Sequence, residues 1–96
     1  MSLFVLSLDY VVPLEAVERH MADHVAWLKR GFADGLLVAA GRKVPRTGGV
    51  ILATGGRVAV EALAATDPFV VERVATVTIV EVDVSMAAAG LERLKD

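Results

Sequence analysis

A histidine, an aspartate and a short run of cations carry most of the chemistry available to this chain. His24 sits in the segment Asp23-His24-Val25-Ala26-Trp27-Leu28, and Asp67 opens an Asp67-Pro68-Phe69 triplet far along the sequence. A neutral imidazole can take a proton near neutral pH, and a carboxylate on its other ring nitrogen fixes the tautomer and stabilises the imidazolium. Brought together, the two would suffice for proton abstraction, isomerisation or elimination on an activated ring, with no metal or cofactor. Each residue also has a plainer reading. A histidine at the border of a helix can simply pack, and an aspartate before proline at a helix start is an ordinary cap. The two roles of Asp67 are compatible, because a carboxylate has two oxygens.

Other residues offer weaker chemistry. Arg42, Lys43 and Arg46 would meet an anionic substrate at the mouth of a pocket, or form a solvated loop. Trp27 either lines a pocket or pads helix packing. Tyr10 and Asp9 stand at the end of the first apolar run, within reach of a pocket near the helix that follows. His20 and His24 have the helical spacing of a metal pair, but no third ligand is evident, and a metal site is set aside. Gly48 and Gly49 answer to turn geometry, since no phosphate-binding loop pattern surrounds them. There are no cysteines, which excludes disulfides, thiol catalysis and thiolate metal sites. A net charge of −2 argues against nucleic acid as a partner, because phosphate binding wants a basic surface.

These residues need elements to position them, and the pattern of apolar residues supplies six. Ser2–Leu8 is too short for a helix and reads as a first strand. Pro13 suits a first helical position, and Leu14, Val17, Met21, Val25, Leu28 and Phe32 keep one apolar stripe along a single helix that stops at Asp34-Gly35. His24 lies on the border of that stripe, near His20, Trp27 and Gly31. Leu36–Ala40 is a second strand, Arg42–Gly49 a loop, and Val50–Thr54 a third strand. Gly55-Gly56 turns into a second helix over about Val58–Ala65. Asp67-Pro68 starts a short turn that leads into a fourth strand, Val74–Val84. The tail Met86–Asp96 is a weak helix.

The order β-α-β-β-α-β describes an α+β, ferredoxin-like domain with a four-stranded antiparallel sheet and both helices on one face, here one domain over residues 1–96. The first half of the fourth strand is apolar on both faces, so both should be covered. The helices cover one face, and the sheet of a second copy is the simplest cover for the other. A hydrophobic fraction of 55% and a mean hydropathy of +0.58 agree with a homodimer. No apolar run approaches the roughly 18–20 residues that span a bilayer. The apolar N-terminus lacks a basic leader, so a cytoplasmic protein away from membranes is the expectation.

The segment from Asp23 to Gly35, the following Leu36-Leu37-Val38-Ala39-Ala40-Gly41, the Gly48-Gly49 pair before the third strand and the Asp67-Pro68-Phe69 triplet together resemble the YciI-like (YCII-related) domain family, from the first strand to about Val84. The resemblance implies a dimeric α/β barrel with a His–Asp pair in a pocket beneath the sheet. It also implies kinship in fold with muconolactone isomerase-like proteins. A few members act on small ring compounds, including a dehydrochlorinase of a chlorinated hydroxyquinol. His24 matches the family histidine and Asp67 the aspartate, which implies catalytic roles as general base and orienting carboxylate. Arg19 stands one position from a family arginine, and Arg19, Trp27, Arg42 and Phe69 make up the expected substrate-binding set. The chain departs from the family pattern at Arg42, where many relatives have proline. It departs again at Glu72-Arg73-Val74, where relatives often have glycine before the last strand. The expectation is a cofactor-independent lyase or isomerase for a small cyclic, phenolic or anionic metabolite. The alternatives are a non-catalytic dimeric ligand-binding or accessory protein and, last, a cofactor-free monooxygenase.

Overall fold

A computed structural model describes residues 2–95. Its elements are β1 (Ser2–Tyr10), α1 (Leu14–Glu18), α2 (Met21–Ala33), β2 (Leu37–Arg42), β3 (Gly48–Gly55), α3 (Arg57–Ala65), α4 (Pro68–Val71) and β4 (Ala75–Val82), with a 3-10 turn over Glu92–Lys95. The strands form one antiparallel sheet in the order β2-β3-β1-β4, the order a split βαβ arrangement requires. Side chains alternate across it. Phe4, Leu6 and Leu8 of β1, Ile51 and Ala53 of β3 and Ala75 of β4 are buried, and they share a core with Val17, Trp27, Val60, Ala64 and Phe69 from the helices. The opposite face carries Leu3, Val5, Val50, Leu52 and Val82, all half-buried, and Val80, which is 50% exposed.

The first helical segment differs from the single helix that the apolar spacing implies. It breaks at Arg19-His20, where His20 leaves helical geometry (φ −109°, ψ 6°) to cap α2. The inner face nevertheless keeps its spacing through the break, with Val17 buried before it and His20 half-buried three residues on. On α2 the buried positions are Trp27 and Gly31, and His24 falls on the same side at intervals of three and four residues. Val25 and Phe32, assigned to the stripe by a continuous count, are 37% and 43% exposed. His24 therefore belongs to the inner face and not to its border. At its far end α2 stops as expected, with Asp34 as the cap and Gly35 at φ +76°.

Gly48 is required by a contact in the sheet and not by a turn. It pairs with Asp9, and a Cβ there would lie 1.8 Å from the Leu8 carbonyl oxygen. The final strand begins from a Schellman closure of α4. The Arg73 amide donates to the Val70 carbonyl and the Val74 amide to the Phe69 carbonyl, with Phe69 and Val74 both buried, the hydrophobic contact that accompanies this motif. The residue that must turn left-handed is Arg73, at φ +59°. It occupies the stretch where the family pattern has glycine. The weak helix expected over Met86–Asp96 reduces to the 3-10 turn, and Asp96 lies outside the described residues.

Two thermal-unfolding experiments follow from this backbone. Gly48→Ala forces β1 and β3 apart and should cost about 1–3 kcal/mol, as overpacking does; an unchanged midpoint would show that the strands separate freely there. Arg73→Gly relieves a left-handed side-chain clash of about 1 kcal/mol and should raise the midpoint by roughly 4–8 °C. A fall in that variant would show that the Arg73 side chain contributes more than its backbone costs.

Candidate functional site

The residues that build the site come from three places brought together by the sheet. Asp67 caps α4: its Oδ1 accepts the Phe69 amide at 3.0 Å, and Pro68 fills the first helical position. The same Oδ1 lies 2.7 Å from His24 Nδ1. Capping and orienting are thus performed by one oxygen, not divided between two. Asp67 is 1% exposed, where an unpaired carboxylate would be strongly destabilising, and two N–H donors on one atom offset that. A carboxylate only accepts, so Nδ1 must carry the proton in this contact. In the neutral ring, Nε2 is then the free base, and it has no protein partner among the described residues.

Aromatic rings fix the imidazole plane. The Phe69 ring lies parallel to His24 with centroids 3.9 Å apart, and Trp27 stacks at 5.8 Å. Tyr10 meets Phe69 edge-on at 6.0 Å. Trp27 is itself anchored, its indole N–H donating to Thr66 Oγ1 at 3.0 Å while the Thr66 hydroxyl donates to the Leu63 carbonyl.

In front of His24 is a cavity of about 180 Å³. Its floor is Leu8 from β1 with Gly49, Val50 and Ile51 from β3. One wall is Met21, Val25 and Leu28 from α2, while Ala40, Gly41 and Arg42 from β2 form the rim, and Tyr10 and Phe69 complete it. The lining is apolar apart from His24, Arg42 and the Tyr10 hydroxyl. Val25, partly exposed, reaches the edge of this space. Among the described residues, no three metal-ligating side chains converge.

Of the residues singled out in the sequence, His24, Arg42 and Phe69 line the cavity, and Asp67 stands behind His24. Trp27 is buried and does not line it, so it supports the imidazole and is not placed to touch a ligand. Arg19 is exposed at the C-cap of α1 and is not on the cavity wall. His20 caps α2. Thr66, the partner of Trp27, went unremarked in the sequence, and its position just before Asp67-Pro68 was the available signal. The loop cations are ordered. Lys43 Nζ is 2.8 Å from Asp9 Oδ1, and Arg46 Nη2 is 2.6 Å from Glu18 Oε1 with its guanidinium 6.0 Å from the Tyr10 ring. Hydrogen bonds with Glu18, and then with Tyr10, raise the Arg46 pKa above its ordinary value.

No curated protein sequence matches the chain. Among solved structures it is similar to 5-chloro-2-hydroxyhydroquinone dehydrochlorinase (TftG) from Burkholderia phenoliruptrix, determined in complex with 2,5-dihydroxybenzoquinone. The TM-score is 0.69 at 16% sequence identity, over 83% of this chain and 91% of that one. At that identity the likeness is one of fold. The family model of the YCII-related domain matches residues 2–83, which include β1, both halves of the His24–Asp67 contact and all of β4. The chain belongs to the YCII-related domain family.

Proposed function

We propose that this protein is a cofactor-independent lyase or isomerase for a small phenolic or anionic ring, with His24 as general base and Asp67 as the carboxylate that orients it. The observation that carries this reading is the 2.7 Å contact between His24 Nδ1 and a buried Asp67 oxygen at the back of a ring-sized apolar cavity. An apolar cavity of about 150 Å³ takes up benzene, so about 180 Å³ suits one substituted ring. Base catalysis needs a basic nitrogen facing substrate and a partner for the charge that develops on it. Nε2 and Asp67 supply these two things. For elimination on a chlorinated hydroxyhydroquinone, the class on which the similar solved enzyme acts by its name, His24 would move a ring hydroxyl proton to the chlorine-bearing carbon, so that the ring becomes a ketone with that carbon tetrahedral. A second ring hydroxyl would then lose its proton to the base as chloride leaves with its electron pair, for a net loss of HCl and formation of a hydroxyquinone.

The reading also includes a second copy of the chain. The sheet face opposite the helices carries Leu3, Val5, Val50, Leu52, Val80 and Val82, none of them fully buried. Apolar surface of this kind suits an interface between copies.

Chloride release from 5-chloro-2-hydroxyhydroquinone, and isomerisation of related rings, are the activities to assay. His24→Asn keeps a donor near the Nδ1 position for Asp67 and removes the base. It should lower kcat/KM by about 10²–10⁴-fold while leaving the unfolding midpoint near wild type. Binding without turnover in the wild type would favour the accessory-protein reading. Nitrogen-15 NMR should show the Nδ1–H tautomer of His24 in the wild type and a mixture in Asp67→Asn, where the neutral amide still caps α4; the same tautomer in both would remove Asp67 from the mechanism. Light scattering at micromolar concentration should give about twice the 10.2 kDa chain mass, and a mass near one chain would exclude the dimer.

A further inference from the structure

Three cations gather where β2 ends, and only one of them is uncommitted. Lys43 is paired with Asp9 and Arg46 with Glu18. Among the described residues, Arg42 has no ion pair and no side-chain hydrogen bond. Arg42 is also the one of the three that lines the cavity.

Strand phase explains why. In β3 the residues facing the helices are Gly49, Ile51 and Ala53, the last two buried. Leu37 pairs with Ala53, but Ala39 already pairs with Leu52, so one extra residue, Val38, is accommodated in β2. Cross-strand partners share a face. Past this bulge Ala40 lies opposite Ile51 and Arg42 opposite Gly49, both on the cavity side. In an unbroken register from Leu37, alternation would have put Gly41 there and sent Arg42 to the other face. Gly49 opposite Arg42 has no side chain to fill the space between them.

We propose that Arg42, brought to the cavity side by the β2 bulge, is a specificity-determining residue that selects small cyclic substrates bearing a carboxylate. The guanidinium fork matches the two oxygens of a carboxylate and can bind them bidentately. A simple phenol is largely uncharged at neutral pH and offers Arg42 no full charge. A phosphorylated ring is the poorer fit, because the cavity of about 180 Å³ holds a ring and little more, and a dianion would meet a single free cation. The carboxylate would sit at the rim, with the ring inward beside Phe69 and His24. This deepens the reading of the site as a ring pocket, but it does not depend on His24 acting as a base.

The test is titration calorimetry of the intact protein with 2,5-dihydroxybenzoate and its neutral counterpart 2,5-dihydroxybenzamide. Wild type should bind the carboxylate about tenfold or more tightly than the amide, as a charge-assisted bidentate contact gives. Arg42→Gln should lose that preference, Arg42→Lys should recover part of it, and His24→Asn should keep it. Arg42 is exposed, so its variants should unfold at the wild-type midpoint. The proposal is overturned if wild type shows no preference or does not bind the benzoate at millimolar concentration. It is equally overturned if Arg42→Gln keeps the preference, or if His24→Asn loses it and so places the anion on the histidine. Turnover plays no part in the measurement. A carboxylate-selective but inactive protein would sink the catalytic reading alone, and an active enzyme indifferent to the carboxylate would sink this one alone.

Discussion

A single buried oxygen holds the site together. Asp67 Oδ1 receives the Phe69 amide and the His24 ring N–H, and each bond serves a different level of structure. The first starts α4 and so sets where the Phe69 ring lies. The second ties α2 to that helix start and fixes which imidazole nitrogen is protonated. Because the carboxylate is almost wholly removed from water, the two donors are not interchangeable with solvent. The position of the ring, its tautomer and the turn into β4 are therefore consequences of one desolvated acceptor.

The apolar surroundings complete that constraint. Phe69 is parallel to the imidazole, Tyr10 abuts Phe69, and Trp27 is pinned by Thr66. A flat ring between such neighbours has little freedom to rotate. The Schellman closure from Phe69 to Val74 then passes the same geometry into the sheet, although it places an arginine in a conformation that suits glycine. Local backbone cost at Arg73 and local order at Phe69 are two ends of one short helix.

Much of this was legible in the sequence. The element order, the glycine stop after Asp34 and the Asp67-Pro68 cap follow from short-range rules of spacing and capping, whereas the pairing of His24 with Asp67 rested on the resemblance to the YCII-related domain. What was not legible depended on long-range contacts or on phase. The stripe on the first helix is centred differently from the expectation: Trp27 and Gly31 are its buried positions and Phe32 is exposed, while Met21 and Leu28 do pack against the core. Gly48 looked like a turn residue because the Leu8 carbonyl that excludes a side chain there is distant in sequence. Arg19 carried a family resemblance but is exposed at the end of α1, off the cavity wall. Trp27 left two readings open, and a hydroxyl from the far end of α3 closed one of them.

The bulge in β2 has an implication for how such a pocket can change. Strand β2 is at the edge of the sheet, paired on one side only, and edge strands tolerate a shift of register more readily than central ones. Whether the rim of the cavity presents a guanidinium or a bare glycine depends on the number of residues between Leu37 and Arg42, not only on their identity. An insertion or deletion in that edge could exchange the chemistry at the mouth while leaving the histidine, the aspartate and every core side chain untouched. The residue at the rim and the His24–Asp67 pair behind it can thus drift independently, one written in chain length and the other in residue type.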